Sequence, residues 1–157
     1  MSALTLTIEN DAREEDVRFV YDQLVAFNRA HAPDPGWDHL RLFVRDEAGR
    51  IQGGLLGEIY FGWLYVSILW IAEAHRGAGW GRRLLARAEA EAAARGCRHV
   101  WLDTFSFQAP DYYPRLGYEV FGALEDYPPG QTRYFLRKRL RSDNILTRPS
   151  APDGGGG

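Results

Sequence analysis

An arginine followed by three alternating glycines, Arg76-Gly77-Ala78-Gly79-Trp80-Gly81, lies between an apolar run and a segment of helical spacing. Glycine permits close backbone approach and φ angles that other residues avoid. The first turn of a helix presents unpaired N–H groups and the positive end of the helix dipole. Arg76, Arg82 and Arg83 add positive charge. Backbone donors, a dipole and guanidinium groups in one turn are the chemistry of a diphosphate cradle. The plain alternative is a helix-capping turn with solvated arginines, and the turn alone does not decide between the two. Two familiar phosphate motifs are absent. There is no GxxxxGK[ST], and the preceding strand does not start a βαβ unit with an acidic residue about 20 residues on.

The elements around this turn read as one domain over residues 1–140, with a Gly-rich flexible tail over 141–157. Leu4–Ile8 alternates as a strand does. Asp11-Ala-Arg-Glu14 has the form of a capping box, and behind it Val17, Val20, Tyr21, Leu24 and Asn28 share a helical face. Strands are expected at Leu40–Arg45, Ile51–Tyr60 and Leu64–Ala72, with a turn at Asp46–Gly49. Their short links imply an antiparallel meander. A helix follows with Trp80, Leu84, Leu85, Ala88 and Ala92 inward, Arg87, Glu91 and Arg95 paired outside, and Gly96 as its cap. Further strands are expected at His99–Phe105, Tyr118–Leu124 and Arg133–Leu140, with a short helix at Pro110–Leu116.

Composition narrows the function. The 157 residues are 45% hydrophobic and 25% charged, which suits a packed globular domain. A net charge of -2 argues against a general nucleic-acid surface. The single cysteine, Cys97, excludes an internal disulfide framework and a cysteine-rich zinc site. No histidine pair has HExxH spacing, so no metal is expected. Without a basic, apolar leader at its start, the chain is assigned to the reducing cytoplasm. Ile59–Ala72 is 14 residues without a charge, short of the roughly 20 a spanning helix needs, and its Tyr, Trp, Ile and Val content suits buried strands.

Two stretches together resemble the GNAT superfamily of acyl-CoA-dependent N-acyltransferases. Arg76-Gly-Ala-Gly79-Trp-Gly81 after Leu69-Trp-Ile71 fits the signature R/Q-x-x-G-x-G/A after L-x-V. Ala109-Pro-Asp-Tyr-Tyr113-Pro-Arg-Leu-Gly117-Tyr118 fits A-x-x-x-Y-x-x-x-G-F/Y. The resemblance covers roughly residues 3–140 in element order. It implies an α/β fold with a mixed, mostly antiparallel sheet of six to seven strands flanked by helices. It also implies acetyl-CoA as co-substrate. By the same resemblance, Leu69 and Ile71 hydrogen-bond the pantetheine arm. The N–H groups of Gly77, Ala78, Gly79, Trp80 and Gly81, with Arg76 and Arg82, hold the pyrophosphate. Tyr113 serves as general acid for the leaving thiolate, with Tyr112 as the neighbour that would reveal an off-by-one register. Ser106 stands where many members have an asparagine that touches pantetheine, and a serine still donates.

The general base is less legible. The strand position where some members carry a glutamate falls near Leu64, and residues 59–72 hold no carboxylate. Glu58 is the best substitute, weighed equally against a solvent-facing strand glutamate. Glu73 is expected to orient the phosphate loop or pair with an arginine. Asp103 is a substrate contact or a strand-end residue. Trp37, Tyr60, Phe61, Trp63, Tyr65, Phe105, Phe107 and Tyr112 are aromatic candidates for an acceptor cleft, with core packing as the alternative for Trp63 and Tyr65. The expected function is transfer of acetyl from acetyl-CoA to a primary amine of a small molecule. Its partners exclude nucleic acid and membrane and leave a homodimer open. The alternatives are a non-catalytic acyl-CoA-binding module and a protein or peptide N-acetyltransferase. The cluster Arg137-Lys-Arg139-Leu-Arg141 suggests an RNA binder, but a solvated basic edge strand is the better reading.

Overall fold

A computed structural model describes residues 2–141; the expected tail from residue 142 on lies outside them. The chain divides into a short unit, Met1–Pro35, and a larger one that begins at Gly36. The short unit holds α1 (Glu14–His31). Three acids in its first turn and Arg29 and His31 in its last complement the helix dipole. The expected capping box does not form. The cap residue is Arg13, without a side-chain cap, and its Nε donates to Asp16 Oδ2 at 3.0 Å instead. Residues 4–8 form no strand. Alternation marks a strand's faces but supplies no pairing partner for its backbone, and among the described residues no strand pairs with this segment.

The larger unit is a six-stranded sheet. Its strands are β1 (Asp38–Arg45), β2 (Ile51–Tyr60), β3 (Trp63–Ile71), β4 (His99–Phe105), β5 (Glu119–Glu125) and β6 (Thr132–Arg139). Their order across the sheet is β1-β2-β3-β4-β6-β5. Only β3 and β4 run parallel, because α2 (Trp80–Ala94) makes the crossover between them. The meander β1-β2-β3 forms as its short links require. The turn after β1 closes on Asp46, whose Oδ1 accepts the N–H groups of Ala48 and Arg50.

Strand alternation sends Leu55, Leu64, Val66, Val100, Leu102 and Leu136 to the face that α2 covers with Leu84, Leu85, Ala88 and Ala92. The opposite face carries Glu58, Trp63, Tyr65, Trp101 and Asp103. Gly96, at φ +90°, and Cys97 close α2: their N–H groups donate to the Ala93 and Ala92 carbonyls. Cys97 is buried there, a packing role that burial reinforces by pushing its thiol pKa up. Arg95 and Arg87 both pair with Glu91 on the outer side, as their spacing predicts. Leu64 is fully buried in this core. Leu64→Ala is expected to lower unfolding free energy by about 2–5 kcal/mol in a urea titration.

Two further expectations differ. Pro110–Leu116 is a set of turns with one 3₁₀ turn at Pro114–Leu116, not a helix, because Pro110 and Pro114 both lack the N–H a helix would use. The last strand is not a sheet edge. The β5–β6 hairpin places β6 against β4, so β5 takes the edge. Two members of the basic run are also paired: Arg137 with Glu119 and Lys138 with Glu89.

Candidate active site

The site lies where β3 and β4 part. Their parallel pairing covers only Trp63–Val66 against His99–Leu102, although β3 runs on to Ile71 and β4 to Phe105. The cause is a bulge. Gly57 faces Val66 and Leu56 faces Ile68, which leaves Ser67 as an extra residue in β3. Its Oγ donates to the Leu56 carbonyl at 3.1 Å. A bulge bends its strand and sharpens its twist, and here β3 departs from β4 at that residue. Residues 68–71, including Leu69 and Ile71, therefore pair only with β2 and turn their other backbone edge to the opening.

Beyond Ile71 a 3₁₀ turn (Glu73–His75) leads to the glycine loop. The Glu73 carbonyl accepts the Arg76 N–H at 3.2 Å, so Glu73 shapes the loop through its backbone. Its carboxylate pairs with no arginine among the described residues. Arg76 Nε donates to the Ile71 carbonyl at 3.0 Å and is held at the strand end. Gly77 and Gly79 adopt φ of +77° and +82°. Gly79 is the N-cap of α2, so glycine is required there for backbone conformation; a Cβ would meet nothing within 4 Å. The cap gives α2 no side-chain hydrogen bond, and its first turn holds no acid. The N–H groups of Trp80, Gly81 and Arg82 thus end the helix with its positive pole open, beside exposed Arg82 and an Arg83 that lies 4.0 Å from the centre of the Trp80 ring. Gly81 serves a different need. A Cβ there would lie 3.0 Å from the Tyr112 hydroxyl.

Tyr112 and Tyr113 both pack partly on the core, with ring centres 5.3 Å apart. Tyr112 turns its hydroxyl to the α2 start. Tyr113 is the more enclosed of the two. Burial, then the nearby Tyr112 and Asp103, push its phenol up to about 12. It therefore keeps its proton throughout the neutral range. Ser106 is already engaged: its Oγ donates to Gln131 Oε1 at 2.6 Å and accepts the Thr132 N–H at 3.0 Å. Glu58 is exposed on β2, one residue past the bulge, and makes no side-chain hydrogen bond or ion pair among the described residues. Its cross-strand neighbours are His39 and Tyr65. No hydrogen bond links Glu58 to Tyr113 among the described residues.

A hydrogen-bonded network lies on the sheet face that carries Glu58. Tyr65 Oη donates to Asp103 Oδ1 at 3.2 Å, and Arg133 Nε donates to Asp103 Oδ2 at 2.8 Å. Tyr65 stacks on Trp101 and Trp63 on His99, so both aromatics belong to the face away from α2. Nothing in the sequence next to Arg133 marks it as the partner of Asp103, 30 positions away. The outward alternation His99, Trp101, Asp103, Phe105 on β4 is the signal that a charged partner faces it.

Comparison with known proteins agrees with this geometry. Residues 6–118 match the family model of the Acetyltransferase (GNAT) family, and the chain belongs to that family. It is an acyltransferase. It is 46% identical over 95 residues, 60% of this chain and 70% of the relative, to a blasticidin-S acetyltransferase of Streptomyces morookaense. It is 35% identical over 137 residues, 87% of this chain and 100% of the relative, to an acetyltransferase of Agrobacterium fabrum. A crystal structure of an acetyltransferase from Bacillus cereus superposes with a TM-score of 0.80 at 36% identity, covering 86% of this chain and 98% of that one. Among the described residues no helix is long and apolar enough to cross a membrane.

Proposed function

We propose that this acyltransferase moves the acetyl group of acetyl-CoA to a primary amine of a small molecule, by direct attack in a ternary complex. One observation carries the reading: the open positive pole of α2 stands next to the unpaired edge of β3. The donors of the loop and Arg76 suit a diphosphate, and the strand edge suits the amide groups of a pantetheine arm. The family match from residue 6 to residue 118 supports treating residues 1–140 as one domain. The name of the Streptomyces relative supports a small-molecule acceptor such as an antibiotic amine. The single, buried cysteine suits a reducing cytoplasm.

In this mechanism Glu58, directly or through water, takes the proton that an ammonium must lose before it attacks. The amine adds to the thioester carbonyl, and backbone N–H groups polarise the carbonyl oxygen. The C–S bond then breaks as the added nitrogen gives up its extra proton to solvent; Tyr113 donates a hydrogen bond to the departing sulfur, which leaves as the thiolate and takes a proton from solvent. A phenol at about 12 is a weaker acid than an alkyl thiol at about 8.5. Tyr113 accordingly helps more as a hydrogen-bond donor to the developing thiolate than by complete proton transfer.

Tyr113→Phe keeps the packing and removes that donor. It is expected to lower kcat by about 10²-fold, the low end for acid–base groups, with acetyl-CoA binding unchanged. Tyr112→Phe is the register control and is expected to stay near wild type. A slower Tyr112 variant would move the acid by one residue. Free-thiol release from acetyl-CoA across blasticidin S, simple aromatic amines and a lysine peptide tests the acceptor class. Release with the peptide alone would replace the small-molecule reading by a peptide acceptor, and release with none would favour a non-catalytic acyl-CoA-binding module.

A further inference from the structure

We propose that Tyr65 is a further residue of the acceptor site: its phenol oxygen receives an N–H of the incoming amine, and Asp103 and Arg133 hold it in that orientation. The inference rests on the proposed function, with Glu58 as proton acceptor and the β3–β4 opening as the place of transfer.

The geometry supplies each part. Tyr65 is the direct cross-strand partner of Glu58 in β2 and lies beside Trp101 in β4. Directly opposed residues on one face of a sheet stand within reach of a common small group. The Tyr65 ring is fixed by the stack on Trp101, at 4.0 Å between centres and 16° between planes. A hydroxyl has one proton and two lone pairs. Here the proton is turned to Asp103 Oδ1, 3.2 Å away. The oxygen is therefore left to the cleft as an acceptor, which is what an amine or ammonium N–H seeks.

Asp103 does not take the ammonium itself. Its side chain is 11% exposed, and its charge is matched by Arg133 at 2.8 Å. Arg133 is held in turn among the rings of Tyr127, Phe135 and Phe105, at 5.0, 5.2 and 5.5 Å. Removing either partner would leave the other as an uncompensated charge in a poorly solvated place. The wall built from Tyr65, Asp103 and Arg133 is thus neutral and rigid, and the unpaired carboxylate beside it is Glu58. A cationic amine is drawn to Glu58, and Tyr65 accepts a second N–H and fixes its angle of approach. Burial, then the charge and hydrogen bond of Asp103, raise the Tyr65 phenol; Arg133 opposes this and Glu58 adds to it. The phenol stays neutral at working pH.

Phenethylamine is the probe, with thiol release from acetyl-CoA as the readout. Tyr65→Phe is expected to raise KM for phenethylamine by about ten-fold or more, the weight of a hydrogen bond to a charged group. The kcat should stay near wild type, the acidic limb of the pH profile should remain, and acetyl-CoA binding should not change. An unchanged KM would overturn the proposal, and so would loss of the acidic limb, which would make Tyr65 part of the proton transfer. A second measurement needs no acceptor. In NMR of ring-labelled tyrosine, the resonance lost in Tyr65→Phe should titrate late in the wild type and distinctly earlier in Asp103→Asn. An identical titration in Asp103→Asn would show that Asp103 does not hold the phenol. If phenethylamine evokes no thiol release from the wild type, the proposed acceptor class fails, and the tyrosine titration still decides the orientation of Tyr65.

Discussion

Glu58→Gln is expected to slow acetyl transfer by about 10²–10⁴-fold, the range over which positioned acid–base groups act. Glutamine keeps the size and the hydrogen-bonding oxygen but cannot take a proton. The wild-type kcat/KM should show an acidic limb that belongs to the general base, because only an unprotonated base can take the proton. The variant should lack that acidic limb. Its stability should match the wild type, since Glu58 is exposed and makes no side-chain hydrogen bond or ion pair among the described residues. A variant with a wild-type profile would mean that the amine enters already neutral or gives its proton to water. Loss of rate with the limb intact would instead make Glu58 a charge that attracts the ammonium.

Gly81→Glu should leave no measurable acetyl-CoA binding by calorimetry. The added Cβ stands 3.0 Å from the Tyr112 hydroxyl, which must move. The new carboxylate also sits in the first turn of α2, where it occupies the positive pole that the pyrophosphate needs. An acid at that position favours the helix itself, by about 0.3–1 kcal/mol. Binding and stability should therefore separate: affinity disappears while the melting temperature holds. Loss of both together would mean that Tyr112 could not be accommodated. Undiminished affinity would place the diphosphate elsewhere.

The strands of the meander and the crossover helix were legible because their apolar periods are long and unbroken. Ile51–Tyr60 and His99–Phe105 fall where alternation puts them. The glycine loop was legible for a related reason: alternating glycines between a strand and a helix have few structural uses. Residues 4–8 were not legible, since their alternation reads the same with or without a pairing partner. Nor was the place of β6. A basic last strand suggests an edge, but which neighbour a hairpin adopts depends on contacts far away in sequence. The site itself was read in halves. The cradle and Tyr113 sit in local motifs. The bond from Tyr65 to Asp103 spans 38 positions and that from Arg133 to Asp103 spans 30, and no local pattern records such pairs. The local motif marks the Gly81 N–H, but not that the space beside this glycine holds the Tyr112 hydroxyl, contributed by a segment 31 positions on.

Initial rates of thiol release with acetyl-CoA and the amine varied together test the central claim most directly. Direct transfer needs both substrates bound at once, so double-reciprocal plots should intersect, and thiol release should depend on the amine. Parallel lines, the sign of an acetylated enzyme intermediate, would contradict attack in a ternary complex, and thiol release indifferent to the amine would contradict transfer to it.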